Sequence, residues 1–128
     1  MLKILVIDDD PAMTDLLALL LRPTNSEILT ANEGRTGIQF CKEYDPDLVI
    51  LDLMMPEIDG WQVCSEIRNF SNTPILILSA LDSPGMVAAA LDAGADDYLI
   101  KPVTSGVLIA HINTLIRRVK RELNGLVI

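Results

Sequence analysis

The chain has 128 residues, half of them hydrophobic and only five aromatic, with a formal net charge of -8. That length supplies one domain with a sizeable core and excludes two, while the aliphatic bias suits a parallel sheet buried on both faces. The acidic balance argues against direct binding of nucleic acid or of an anionic membrane by this domain and turns attention to cation sites.

The opening stretch MLKILVIDDD sets four apolar residues before three acids. This falls short of a signal-peptide core, and no apolar run reaches membrane-spanning length, so a cytoplasmic location is expected. A first strand is predicted over residues 3 to 8 (KILVID). The helix after it has Asp10 placed as its cap, Pro11 in its first turn, and Met13, Leu16, Leu17 and Leu20 as one inward stripe. A second strand, 27 to 31 (EILTA), leads to a helix over roughly 33 to 44 that Gly34 and Gly37 weaken. The third strand, 47 to 52 (DLVILD), ends on the acid Asp52; a helix then begins after Asp59, a cap or turn residue, and carries Val63 and Ile67 inward. The fourth strand, 74 to 79 (PILILS), precedes a helix from about Pro84 to Ala93 that stops at Gly94. The last strand is 96 to 101 (DDYLIK). Its helix turns Leu108, Ile112, Leu115 and Val119 to the sheet and is expected to end before the Asn124-Gly125 step. The domain is accordingly set at 1-122, with 123-128 a tail or the start of a linker. Cys41 and Cys64 have no metal-ligand spacing and read as reduced core residues.

Strands joined by helices in this alternation form a doubly wound α/β sheet whose strand C-termini share one edge, and such sheets bind ligands there. Asp8 and Asp9, Asp52, Ser79 and Lys101 each end an apolar run, so four of the five runs deliver a polar group to one rim. Taken singly, Ser79 reads as a backbone-bonding residue, Lys101 as a solvated lysine, and Tyr98 as strand packing. Their convergence outweighs those separate readings.

From ILVIDDD through DLVILDLMMPEIDG and ILILSA to AGADDYLIKP, the sequence resembles the receiver domains of two-component response regulators, the CheY-like family, in order and spacing. The resemblance implies a flavodoxin-like five-stranded parallel sheet of order 2-1-3-4-5. It further implies that Asp52 is the phosphoacceptor and that Asp8, Asp9, Asp52 and the Met54 backbone carbonyl hold Mg²⁺. By the same resemblance Lys101 binds the phosphate, Ser79 and Tyr98 form the switch, and Met54 and Leu81 flank the attacking water and tune phosphoryl lifetime.

Elementary chemistry points the same way. Three carboxylates about 5 Å apart repel by roughly 3 kcal/mol per pair at an effective dielectric of 20, so such a rim calls for a cation. Mg²⁺ is a hard ion that accepts a few carboxylate oxygens and keeps positions for phosphate. A carboxylate can attack phosphorus to give an acyl phosphate, and phosphoryl transfer asks mainly for in-line positioning and charge neutralisation. Ala80 is small enough to leave the phosphoryl group an approach.

The expected function is therefore a switch phosphorylated by a sensor histidine kinase or a phosphotransfer protein, acting on no substrate but itself. A phosphorylation-independent pseudo-receiver is one alternative, although its usual sign is loss of the acids or the lysine. An aspartate-nucleophile phosphatase of the haloacid dehalogenase type is another, but Met54 stands where its DxDxT pattern needs a second Asp. The partner face implied is the fourth helix, fifth strand and fifth helix. The OmpR-like branch of the family makes reciprocal salt bridges there in a dimer. Here Val107 and His111 replace charged residues, leaving Arg117 and Arg118 available to Asp96 or Asp97, so a homodimer formed mainly by apolar contact is expected. His111 reads as a surface helix residue and not a phosphodonor, and RRVKR, 117 to 121, as a solvated helix end.

Overall fold

The computed structural model describes residues 1-127, and the side chains of residues 1-120. Five strands alternate with five helices: β1 (Lys3–Ile7), α1 (Pro11–Leu20), β2 (Glu27–Ala31), α2 (Gly34–Tyr44), β3 (Leu48–Leu51), α3 (Gly60–Arg68), β4 (Ile75–Ser79), α4 (Pro84–Asp92), β5 (Asp97–Ile100) and α5 (Ser105–Val127). All strand pairs are parallel, in the order β2-β1-β3-β4-β5. The expected doubly wound sheet is therefore the observed one.

Continuous apolar runs form these strands because both faces are covered, and successive side chains enter opposite cores. Leu5, Ile7, Val49, Leu51, Ile75 and Ile77 point into one core with Ile38 of α2 and Val63 and Ile67 of α3. Ile4, Val6, Leu48, Ile50, Leu76 and Leu78 point into the other with Leu17 of α1 and Leu108, Ile112 and Leu115 of α5. The edge strands β2 and β5 are only partly buried. Gly37 serves packing: a Cβ there would lie 2.5 Å from Ile7 Cδ1, so only glycine lets α2 rest this closely on β1.

Helix boundaries follow their caps. Asp10 Oδ1 accepts from the Ala12 amide at 3.0 Å with Pro11 at the start of α1, and Asp59 Oδ1 accepts from Gln62 at 2.9 Å at the start of α3. After α4 the chain turns at Gly94, φ +116°, a conformation glycine adopts freely. A short 3₁₀ turn, Arg22–Thr24, follows α1. No helix among the described residues is long and apolar enough to cross a membrane.

Two expectations fail. Leu16 is 45% exposed and not part of the inward stripe, whereas Leu21 is fully buried. Leucines at 16, 17, 19, 20 and 21 make this helix apolar almost all round, so packing, not periodicity, chooses the buried face. Helix α5 does not stop before Asn124 but continues to Val127. One interior glycine costs only about 1 kcal/mol, too little to end a 23-residue helix. Residue 128 and the side chains of 121-127 lie outside the described set, including those of the expected tail.

Candidate functional site

The strands end one residue earlier than the polar groups: β1, β3 and β5 close at Ile7, Leu51 and Ile100, so Asp8, Asp52 and Lys101 follow the last paired residue. Their backbones remain anchored. Asp8 N donates to Ala31 O at 3.1 Å, Asp52 N to Ile7 O at 3.0 Å and Lys101 N to Ser79 O at 2.9 Å. Rigid strands thereby aim the side chains, which the preceding apolar residues could not do from a free loop.

One carboxylate oxygen from each of Asp8, Asp9 and Asp52 lies within 4.8 Å of the others. Asp8 and Asp52 are buried and Asp9 is exposed. Lys101 Nζ lies 2.9 Å from Asp8 Oδ2 and 3.6 Å from Asp52 Oδ2. Asp8 Oδ1 also accepts from the Asp10 amide at 3.0 Å, and Asp52 Oδ1 from the Met54 amide at 3.4 Å. Burial pushes the Asp52 carboxyl above its ordinary range; Lys101 opposes the shift and Asp8 adds to it. For Lys101, burial acts downward, but the hydrogen bond to Asp8 and the charges of Asp52 and Asp8 outweigh it and leave the ammonium strengthened. The all-oxygen donor set, with one open exposed acid, fits a hard divalent ion such as Mg²⁺.

Beside the acids, fully buried Ser79 accepts from the Leu81 amide through Oγ at 3.3 Å. The Tyr98 hydroxyl donates to Leu81 O at 2.6 Å, so Ser79, Leu81 and Tyr98 form one connected unit. Burial raises the Tyr98 phenol, with added repulsion from Asp52 and Asp82. Ala80 is exposed, Leu81 half-buried, and Met54 57% exposed at the rim. Gly60 closes the floor: its amide donates to Leu53 O at 2.9 Å, and a Cβ would lie 2.6 Å from Leu53 Cα and collide with Asp52 O. The next residue, Trp61, has a half-buried ring and a buried indole nitrogen without a hydrogen-bond partner among the described residues.

All five rim residues and Tyr98 thus gather at one edge. Sequence reasoning missed Asn32, whose Nδ2 donates to Asp8 O at 2.9 Å and to Thr14 Oγ1 at 3.2 Å. The signal was present, because Asn32 is the polar residue that follows the second apolar run, the one run not counted at the rim. The pairing expected for Arg117 or Arg118 is also different. Asp96 pairs with Arg68 at 2.7 Å, and Asp97 meets His111 Nδ1 at 2.6 Å. Arg68 reaches Asp96 because its guanidinium also donates to Gly94 O, Ser71 O and Thr73 O, which fixes it beneath β5.

The sequence model of the response regulator receiver domain matches residues 4–113. The chain is 41% identical over 120 residues to the transcriptional regulatory protein AfsQ1 of Streptomyces coelicolor, covering 94% of this chain and 53% of that protein. It is 39% identical over 122 residues to the DNA-binding dual master transcriptional regulator RpaA of Synechocystis, covering 93% of this chain and 51% of that one. The chain therefore spans about half the length of these curated relatives. Among solved structures, the BeF3-activated N-terminal receiver domain of Klebsiella pneumoniae RstA superposes with TM-score 0.86 at 32% identity, covering 90% of this chain and 98% of that one. A CheY-like receiver domain protein from Methanospirillum hungatei reaches TM-score 0.91 at 23% identity, covering 95% of this chain and 98% of that one, a likeness of fold.

Proposed function

The chain belongs to the response regulator receiver domain family, and on that premise we propose that it is a phosphorylation-controlled switch with Asp52 as its phosphoacceptor. The observation that carries the reading is the Lys101 ammonium bracketed by Asp8 and Asp52 at 2.9 and 3.6 Å, a cation held where phosphate oxygens would arrive.

Receiver domains generally bind Mg²⁺ through acidic residues; here Asp8, Asp9, Asp52 and the Met54 carbonyl would hold it, and the ion would neutralise charge on the transferring phosphoryl group. The Asp52 carboxylate oxygen attacks phosphorus, a new O–P bond forms, and the P–N bond to the donor histidine breaks. The bond electrons leave with the imidazole, which takes up a proton. Lys101 turns from the carboxylates to the arriving phosphoryl oxygens, and exposed Ala80 leaves the path open. Ser79, and Tyr98 through Leu81, then follow the phosphoryl group and change the face formed by α4, β5 and α5. On that face Met86, Leu91, Ile100 and Val107 are exposed, which supports a homodimer made by apolar contact. The phosphoryl donor is a sensor histidine kinase or phosphotransfer protein, and the reaction belongs to the cytoplasm, in keeping with the free buried Cys41 and Cys64.

The test is intact mass after incubation with Mg²⁺ and a small acyl phosphate. One added phosphoryl group is expected on the native chain and none on Asp52→Asn. An unmodified native chain makes it a phosphorylation-independent docking module instead.

A further inference from the structure

We infer that Asn32 and Thr14 form a clamp that positions the Asp8-Asp9 acids and thereby sets the affinity of the rim for its divalent cation. The inference rests on the metal-dependent reading above and adds two positioning residues to it.

Asn32 follows the last residue of β2 and stands next to the start of the β1-α1 loop, because Asp8 N is bonded to Ala31 O. Its amide group has two N–H donors, and both are used: one on Asp8 O at 2.9 Å, the other on Thr14 Oγ1 at 3.2 Å. The Asp8 carbonyl can only accept, so the amide nitrogen must face it. Thr14 is 2% exposed on the inward side of α1, and its hydroxyl donates to Pro11 O at 3.0 Å. A continuous path therefore runs from the Asp8 carbonyl through Asn32 and Thr14 to the carbonyl of Pro11. It ties the first residue of the loop to the first turn of the helix, with Asp9 and Asp10 between the two anchors.

That closure matters because Asp8, Asp9 and Asp52 approach within 4.8 Å and repel by roughly 3 kcal/mol per pair. An untied loop would let Asp9 swing outward and relieve the repulsion, and the cation would then have to gather its ligands at its own expense. Residues that orient metal ligands typically alter metal affinity about 10- to 100-fold when removed. Neither Asn32 nor Thr14 touches the reacting atoms, so the clamp acts on affinity and not on the transfer step.

The experiment is calorimetric titration of the full chain with Mg²⁺ for native, Asn32→Ala, Thr14→Val, Thr14→Ser and the Asn32→Ala/Thr14→Val double variant. Expected are about a tenfold rise in Kd for Asn32→Ala, a smaller rise for Thr14→Val, near-native affinity for Thr14→Ser, and a double variant no worse than Asn32→Ala, because the two residues act as one unit. Phosphorylation by acyl phosphate should need a correspondingly higher Mg²⁺ concentration to reach half its maximal rate in Asn32→Ala. Asn32 is exposed, so its truncation leaves no core cavity and decides the matter even if Thr14→Val does not fold. An unchanged Kd in Asn32→Ala beside a lowered melting temperature in chelator overturns the clamp alone and makes the contact merely structural. A native chain that neither binds Mg²⁺ nor gains phosphate overturns the functional reading together with the clamp.

Discussion

Lys101 Nζ and Asp8 Oδ2 lie 2.9 Å apart, although 93 residues separate them in the chain. The pair is largely buried, and removing one partner of such a pair leaves the other charge uncompensated. Lys101 gains basicity on folding, so its contribution is complete below the unfolded value of 10.5 and is lost only as pH rises through the higher folded value. At neutral pH, Lys101→Met should therefore cost about 3 kcal/mol in chelator. Mg²⁺ should restore more stability to this variant than to the native chain, since the ion supplies the missing positive charge. Melting temperatures with chelator and with Mg²⁺ check this; an equal Mg²⁺ response in both proteins counts against it.

Asp52→Asn should have the opposite sign. The folded Asp52 carboxyl holds its proton more tightly than the unfolded one, so stability declines as pH rises from the ordinary value of 3.8 through the raised one, and stays lower above it. The neutral amide escapes that cost. In chelator at pH 7 the variant should be the more stable of the two, its advantage vanishing in acid and its response to Mg²⁺ reduced. Denaturant midpoints across pH would show a flat difference if the buried charge were not the cause.

Phosphoryl lifetime is expected to depend on Met54 and Leu81. Met54 is 57% exposed beside Asp52, to which it offers only its backbone amide, and neither thioether nor alkyl group can orient an attacking water. Slow self-dephosphorylation should follow, accelerated severalfold in Met54→Asn, where an amide can hold the water. Loss of phosphate followed by intact mass measures it, and an unchanged or slower rate in the variant removes the argument.

Self-association of the phosphorylated chain should tolerate salt. On the α4-β5-α5 face the acids Asp96 and Asp97 already have partners, Arg68 and His111, within the same chain, while Leu91, Ile100 and Val107 are exposed. Screening weakens ion pairs far more than apolar burial. Sedimentation should give a dimer at both low and high salt, and a monomer for Val107→Glu. A monomer throughout rules out the interface, and a dimer dissolved by salt assigns it to ion pairs.

The sheet order came only from the resemblance to receiver domains, whereas the strands and the rim acids were legible because each strand is a short apolar run ended by a polar group, a pattern that survives without any tertiary knowledge. What depended on neighbours was not. Gly34 and Gly37 look like helix weakeners and are packing requirements, visible only once Ile58 and Ile7 are seen against them. Leu16 and Leu17 have the same hydrophobicity, and only contact with the sheet separates them. Asp96 and Asp97 were legible as acids in need of cations but their partners were not, since Arg68 is 28 residues from Asp96, and no spacing rule reaches that far. Asn32 belongs to the legible class as well, because it is the polar residue that directly follows the second apolar run.

Trp61 turns one of these local facts into a means of watching the protein. It is the only tryptophan in the chain, it follows the glycine wedged against the Asp52 backbone, and its buried indole N–H has no partner among the described residues. Light absorbed at the red edge of the aromatic band is therefore taken up by a single fluorophore one residue from the floor of the acidic rim. Small adjustments of that floor should alter the indole's surroundings, so emission intensity is expected to change when Mg²⁺ or an acyl phosphate is added to the unmodified chain, a response that a fluorescence titration would read without a label.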